Sequence, residues 1–513
     1  MRLAASAAFG LAIVTAAMRP GAAQESFTPE ELVARSHAAS GFERRSESER
    51  ELWIARVAGL DGTLETLRRG ADLTSATTMG PFRTARGMSH GQRWHQNENG
   101  ETVLDRPEPS QTERTVAQIV ARVREPVDAW QLTTTFASGH VTRAYYDSRT
   151  FLNVRTERVV AGRTVRTTFE DFRTDARGHT RPWHYYGGDD RPENSYDFRL
   201  QRDDTTDAIA EAEVAVPRDR RTLVEFPAGV ETVRLPARIE NDRIYVRLEI
   251  AHRGLDFLLD TGAATLTIDQ AVARELGLTV RGRAAQTVAG SFVTGRVIVP
   301  SVGIGSLTMR DVVMHTAPFA SHEAQGTRVV GLLGFDFLDA LAVRIDYAGG
   351  IVEAMRAGTL AAPPVATSLD IRLNSGTPVT RATIGDATGE DFIVDTGAAF
   401  PYVVFQRFAR AHPDAIRTTG DGHTSFGSGV GGSMSYRAVG TKKIALGSWL
   451  LDDTLGVEAL SPNALGFDNE DGLIGATILK NFTVLLDYPA GKLYLQPNGR
   501  AAVAEIGSRA NHR

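Results

Sequence analysis

The chain has 513 residues, 42% hydrophobic and 23% charged, with 49 Gly and 21 Pro. That length suggests about two to four domains, and the composition excludes wholesale disorder, collagen and coiled coil. A net charge of −5 supplies no global field for nucleic acid, and the absence of cysteine removes disulfides, zinc–thiolate sites, iron–sulfur clusters and cysteine nucleophiles together.

Met1 and Arg2 precede an apolar stretch from Leu3 to Met18, followed by Arg19-Pro20-Gly21-Ala22-Ala23-Gln24. A basic start, a short apolar run and small residues before Gln24 fit a secretory signal over 1–23. The run is short for a membrane span of about 20 residues; an uncleaved anchor or a buried helix is the competing reading. A lipoprotein anchor needs a cysteine, which the chain lacks. The mature protein is expected to be soluble, periplasmic or secreted, with no membrane span after signal removal.

Residues 24–230 read as a β-rich N-terminal domain. Thr28-Pro29-Glu30-Glu31 starts a helix, with proline at the first helical position and Glu31 placed to close a capping box. A second helix is expected over Ser48 to Ala58. A third follows Ser110-Gln111-Thr112-Glu113, where Val116, Ile119, Val120 and Val123 fall at helical spacing. Strand-like segments then dominate: Trp130 to Phe136, Val141 to Tyr146, Thr150 to Arg158, Thr164 to Phe172 and Tyr196 to Leu200. Asn99-Gly100, Ala161-Gly162 and Gly187-Gly188 supply turns. The pattern predicts a curved antiparallel sheet with short helices.

The C-terminal half repeats itself. Phe257-Leu258-Leu259-Asp260-Thr261-Gly262-Ala263-Ala264 returns as Phe392-Ile393-Val394-Asp395-Thr396-Gly397-Ala398-Ala399. Gly331-Leu332-Leu333-Gly334, with Asp346-Tyr347 and Gly350, returns as Gly472-Leu473-Ile474-Gly475 with Asp487-Tyr488 and Gly491. Two patterns at nearly one offset mean two copies of one unit, about 235–360 and 362–500, joined across Ala361-Ala362-Pro363-Pro364. Each copy reads as mostly strand: Ile244 to Ile250 and Leu255 to Leu259 in the first, Val379 to Ile384 and Phe392 to Val394 in the second. Short helices are expected over Asp269 to Leu276 and Val403 to His412.

An apolar strand ending in Asp-Thr-Gly pushes a carboxylate out of a dry sheet at a tight turn, and the glycine permits close backbone approach. One such aspartate is usually a turn or cap residue. Two, on two copies of one unit, change the reading: pseudo-twofold packing would set Asp260 against Asp395. Neighbouring carboxyls cannot both ionise cheaply, so they share a proton, as in the aspartic-protease dyad that is the standard case of this effect.

On these residues the C-terminal half resembles the retropepsin-like and pepsin-like aspartic proteases, with both lobes fused in one chain. Asp260-Thr261-Gly262-Ala263 and Asp395-Thr396-Gly397-Ala398 carry the likeness. So do the preceding apolar strands and the following Leu332-Leu333-Gly334 and Leu473-Ile474-Gly475. The resemblance implies a mainly β fold, with two β lobes forming one bilobal protease domain. It implies that Asp260 and Asp395 hold a water between them, one as general base and the other as acid, with no cofactor and no metal. Thr261 and Thr396 would cross-brace the two loops, and Gly262 and Gly397 would admit backbone hydrogen bonds to the carboxylates. Its substrate would be a peptide or protein.

Such a protease needs hairpin flaps. Val288 to Phe292 and Phe426 to Met434 are candidates, with plain surface turns the alternative. Asp346 and Asp487 read as strand-end turn aspartates. The alanine side chains at 263 and 398, unlike those of Ser or Thr, cannot donate a hydrogen bond to an ionised carboxylate, so an acidic but not extreme pH optimum is expected. Gly427-Ser428-Gly429-Val430-Gly431-Gly432 matches a dinucleotide glycine pattern but lacks its strand–loop–helix context. The His residues show no zinc-ligand spacing, and Arg155 to Arg166 reads as a solvated sheet face.

The N-terminal domain resembles the half-barrel of periplasmic outer-membrane lipoprotein carriers, through Tyr145-Tyr146-Asp147-Ser148-Arg149-Thr150-Phe151-Leu152, Phe169-Glu170-Asp171-Phe172 and Arg181-Pro182-Trp183. That implies a hydrophobic ligand there; a domain that only shields or helps fold the rest is the alternative. The expected function is therefore an exported aspartic endopeptidase. The rivals are a non-catalytic lipid- or peptide-binding protein that uses the fold as a clamp, and lobes that pair with another chain.

Overall fold

In the computed structural model of the chain, residues 26–104, 115–136, 140–160, 163–205, 208–219, 224–319, 323–324, 327–374, 376–419, 424–430, 432–460, 470–500 and 504–505 are described. The expected signal segment 1–23, the expected helix start at Ser110 to Glu113, the expected turn at Ala161-Gly162, and Gly431 lie outside them.

The fold is mainly β, and its first part is one thirteen-stranded antiparallel sheet. Strand Ser48–Val57 starts in the middle, and the next five strands step outward to Thr102–Leu104 at one edge. The chain resumes at the opposite edge with Thr115–Val123 and steps back until Tyr196–Asp204 pairs with Ser48–Val57. Helix Pro29–Ser40 has its capping box: Glu31 N–H donates to Thr28 Oγ1 (3.2 Å) and Thr28 N–H to Glu31 Oε2 (2.8 Å). Its Leu32 packs on Trp130, Leu132 and Tyr146.

Two expected helices are strands instead. Ser48–Val57 buries Glu49, Glu51, Trp53 and Ala55 on alternate positions. The period is two, and Arg181 conceals it by pairing with Glu49, Glu51 and Asp203 on the buried side. Thr115–Val123 is an edge strand whose Val116 and Ile119 stand exposed. Its apolar residues fall at helical spacing, but they are β-branched and suit a pleated strand. The strand expected from Thr150 begins at Asn153, because Asp147 Oδ1 holds Arg149 and Thr150 in a turn. Gly187 and Gly188 end strand Thr180–Gly188 rather than forming a turn.

The C-terminal half holds an eight-stranded and a ten-stranded sheet, one per copy, and a six-stranded sheet common to both. At the centre of the common sheet Leu341–Asp346 runs antiparallel to Phe482–Asp487, with Ala342 opposite Asp487 and Asp346 opposite Thr483. These strands are the same segment of the two repeats, so their pairing places the pseudo-twofold axis there. Strand Thr232–Arg234 joins this sheet from just ahead of residue 235. One apolar core runs through both lobes and includes Phe257, Phe337, Phe392 and Phe482, all fully buried.

Helix Gln270–Glu275 forms as expected, its N–H groups at Ala271 and Val272 capped by Asp269 Oδ1 at 3.0 Å. The second-copy helix starts at Gln406, not Val403, because Tyr402–Val404 is drawn into the sheet between Gly472–Gly475 and Trp449–Ala459.

Candidate active site

Strand Arg253–Leu259 runs parallel to Gly331–Leu333, with Leu259 opposite Leu333, and Asp260 N–H donates to Leu333 O at 3.1 Å. Strand Ala387–Asp395 runs parallel to Gly472–Gly475 in the same way. Each aspartate thus leaves the sheet at the end of a central strand flanked by a parallel neighbour. The glycines of these neighbours are sterically required. A Cβ on Gly331 would stand 2.2 Å from the Phe257 ring, and one on Gly475 would stand 2.0 Å from Phe400 O.

The two loops meet face to face. A Cβ on Gly262 would lie 2.7 Å from Asp395 Oδ2, and one on Gly397 would lie 2.5 Å from Asp260 Cγ. Each glycine therefore sits over the opposite carboxyl group, which no larger residue permits. Gly262 N–H donates to Asp260 Oδ1 at 2.9 Å; Gly397 and Ala398 N–H donate to Asp395 Oδ1 at 2.8 and 3.0 Å. Thr261 Oγ1 donates to Val394 O at 2.5 Å and accepts from Thr396 N–H at 3.0 Å. Thr396 Oγ1 donates to Leu259 O at 2.8 Å and accepts from Thr261 N–H at 3.2 Å. Both threonines are buried, and their four bonds all cross between the lobes.

Burial, then the charge of Asp395, pushes the Asp260 carboxyl well above the usual carboxylate range. Burial also raises Asp395, but its amide donors, a hydrogen bond from Asp260 and the charge of Arg243 pull the other way. The two carboxyls titrate as a unit, and the stronger upward push on Asp260 favours it as the protonated member.

Above the pair, two hairpins meet tip to tip. The first joins Arg281–Thr287 to Ser291–Ile304; the second joins Thr424–Gly429 to Gly432–Leu446. Ala289 N–H donates to Val430 O at 3.2 Å, and a Cβ on Gly432 would come within 3.0 Å of Gly290 Cα. Ala289 packs with Ala398, Phe400, Met434 and Tyr436 in an apolar cluster beside Asp395. Phe400 and Tyr436 have ring centroids 5.0 Å apart, and burial, then the charge of Asp395, raises the Tyr436 hydroxyl. Gly427, Gly429 and Gly432 of the glycine pattern thus lie in a hairpin.

Asp346 and Asp487 do not join the site. Each caps its own turn, Asp346 Oδ1 accepting from Gly349 N–H at 2.8 Å and Asp487 Oδ1 from Ala490 N–H at 3.0 Å. Arg155 pairs with Glu157 and Arg166 with Asp190 on the sheet surface. Among the described residues no group of three His, Asp or Glu side chains could hold a metal ion, and no helix is long and apolar enough to cross a membrane. Sequence reasoning missed Arg243, Phe400 and Tyr436. Phe400 had a signal, since it stands against the first copy's Thr265 at the first position where the repeated segment diverges. Arg243 precedes the repeated apolar strands and carries no motif.

Residues 246–337 match the family described as aspartyl protease. No curated protein matches the chain. Among solved structures, the aspartic proteinase from Irpex lacteus is similar at 13% identity and TM-score 0.33, over 52% of this chain and 97% of that one. Basic 7S globulin from soybean is similar at 12% identity and TM-score 0.34, over 52% of this chain and 96% of that one. A DUF1329 family protein from Desulfovibrio piger is similar at 10% identity and TM-score 0.27, over 36% of this chain and 97% of that one.

Proposed function

We propose that the chain is an exported aspartic endopeptidase, hydrolysing peptide bonds with a water activated between Asp260 and Asp395. The observation that carries this reading is the facing carboxyl pair, one from each repeat, with Asp395 buried and Asp260 half-buried, where desolvation and like charge favour one shared proton. A binding protein gains nothing from two costly neighbouring carboxyls.

Asp395, the member better supplied with N–H donors, is the carboxylate and takes a proton from the water. Asp260 is the acid and gives its proton to the peptide carbonyl oxygen as the water oxygen attacks the carbonyl carbon. The tetrahedral gem-diol then collapses: the C–N bond breaks, nitrogen takes the proton from Asp395, and a hydroxyl proton returns to Asp260. Both groups end as they began, and because water is the nucleophile no covalent enzyme intermediate forms. The cross-bracing threonines fix the carboxyl separation, and the closed hairpins exclude bulk water. Export rests on the N-terminal sequence pattern, and the substrate is a peptide or protein segment extended beneath the hairpins.

The test is cleavage of a diverse unfolded-peptide mixture by the mature protein from pH roughly 3 to 7, read by mass spectrometry. Asp260→Asn and Asp395→Asn are expected to lose about a thousandfold or more, since proton transfer of this kind contributes about 10²–10⁴ per group. Folded protein that makes no cuts at any pH contradicts the reading and leaves the fold as a peptide or lipid clamp.

A further inference from the structure

The first hairpin is fastened to the N-terminal domain. Asn194 acts as an artificial strand partner for its outer edge: Asn194 Nδ2 donates to Ala285 O at 3.1 Å, and Ala285 N–H donates to Asn194 Oδ1 at 2.8 Å. Arg281–Thr287 is the edge of the eight-stranded sheet, so these groups would otherwise be unpaired. The same Asn194 amide also donates to Asp189 Oδ2 at 2.9 Å, which fixes its orientation. One turn away Arg283 N–H donates to Ala58 O at 2.7 Å, and Leu60 lies against Gly282, 3.0 Å from where a Cβ would stand. Nearer the tip, Arg191 and Arg163 reach Thr287 Oγ1, and Arg163 reaches Ser291 Oγ, all at 3.4 Å.

The hairpin's base is held as well. Glu98 pairs with Arg296 at 3.0 Å. Asn99 takes both backbone groups of Val313 on the neighbouring strand, at 2.8 and 3.1 Å. Asn97 and Asn99 both donate to buried Asp336 at 2.9 Å. All of these contacts end on the first lobe.

On the endopeptidase reading a peptide lies beneath the hairpins, and admitting it from above parts the tips and breaks the Ala289–Val430 bond. The second hairpin has glycine at 427, 429 and 432, which gives its backbone freedom near the tip. We infer that the N-terminal domain holds the first hairpin in its closed position through Asn194, and that the cleft opens by movement of the second hairpin. Asn194 is then a positioning residue: it touches no reacting group and acts through the hairpin it splints. The inference rests on the endopeptidase reading for its meaning, while the anchor itself is measurable without activity.

The test is hydrogen exchange on the full chain, followed by kinetics. In the wild type, amides 281–293 should exchange more slowly than those of the second hairpin. Asn194→Ala should speed exchange of the first hairpin about tenfold while leaving the strands of the shared sheet unchanged. Asn194→Asp turns a carboxylate oxygen on Ala285 O and on Asp189, so it should speed exchange at least as much as alanine; Asn194→Ser, which is too short to span both Ala285 groups, serves if either variant folds poorly. With a cleavable peptide, Asn194→Ala should raise KM severalfold with kcat little changed. Because the chain has no cysteine, Ala289→Cys with Val430→Cys offers a clean lock: oxidised protein should be inactive and reduction should restore it. A first hairpin that exchanges as fast as the second, or is indifferent to Asn194→Ala, overturns the inference. An oxidised, cross-linked protein that still cuts peptides also overturns it. Wild-type protein that cuts nothing but shows the expected exchange pattern refutes the peptidase reading and leaves the anchor standing.

Discussion

The two lobes are near copies where the carboxyl groups meet and differ where a substrate would enter. Asp260 and Asp395 sit at equivalent strand ends, braced by threonines that exchange equivalent bonds. Away from that centre, Phe400 stands where the first copy has Thr265. Val302 opposite Ile250 and Ile444 opposite Ile384 set the register by which Tyr436 stands where the first copy has Thr294. Only the first hairpin has the Asn194 splint described above. Symmetry is retained where the two carboxyl groups meet, and is lost in the walls around the hairpins. The charge environment also departs from symmetry, since Arg243 favours ionised Asp395.

The largest expected effect tests the symmetric part. Thr261→Ala and Thr396→Ala each leave a buried carbonyl and a buried N–H unpaired, at about 1–3 kcal/mol per group. Both should lower unfolding free energy by about 2–4 kcal/mol in urea, and by similar amounts. Unequal losses would break the equivalence of the two loops.

Stability against pH sharpens the charge asymmetry. Burial and the neighbouring charge raise Asp260 in the folded protein above its unfolded value. The folded state therefore binds the extra proton, and its stability falls as pH rises from the ordinary carboxylate range through the raised value. Asp260→Asn removes that liability. Its melting temperature should exceed the wild type's by a few degrees near neutral pH, and by less near pH ~4. Asp395→Asn should gain less, because its own shift is smaller. A larger gain for Asp395→Asn would reverse the assignment of acid and base.

Ala263→Ser with Ala398→Ser gives each carboxylate a hydroxyl donor in reach of its loop. The acidic limb of the activity profile should move down by less than about one unit. An unchanged or upward-shifted limb would show that the alanines do not set it. The smallest effect concerns the asymmetric wall: Phe400→Thr, which copies the first lobe, loses the ring contact with Tyr436. It should cost about 1 kcal/mol in urea, since Phe400 is only half-buried. No loss would mean that this wall is not packed in solution.

The C-terminal half was legible because its signal is a repeat: two strand-ending carboxylates and two glycine elements recur at nearly one spacing. The N-terminal sheet was harder to read. Ser48–Val57 buries two glutamates against Arg181, so hydropathy does not alternate where burial does. A usable signal was present in glycines 59, 70, 80, 91 and 100, all with positive φ and spaced by one strand and turn. The anchor was not legible, since Asn194 and Ala285 lie 91 residues apart with no motif at either end.

The pH dependence of kcat/KM tests the shared-proton account most directly. The account predicts a bell, because one carboxyl must be ionised and the other protonated, with the upper limb above the ordinary carboxylate range through burial of Asp260. A profile with a single limb, or activity that persists in Asp395→Asn with the same bell, would contradict it.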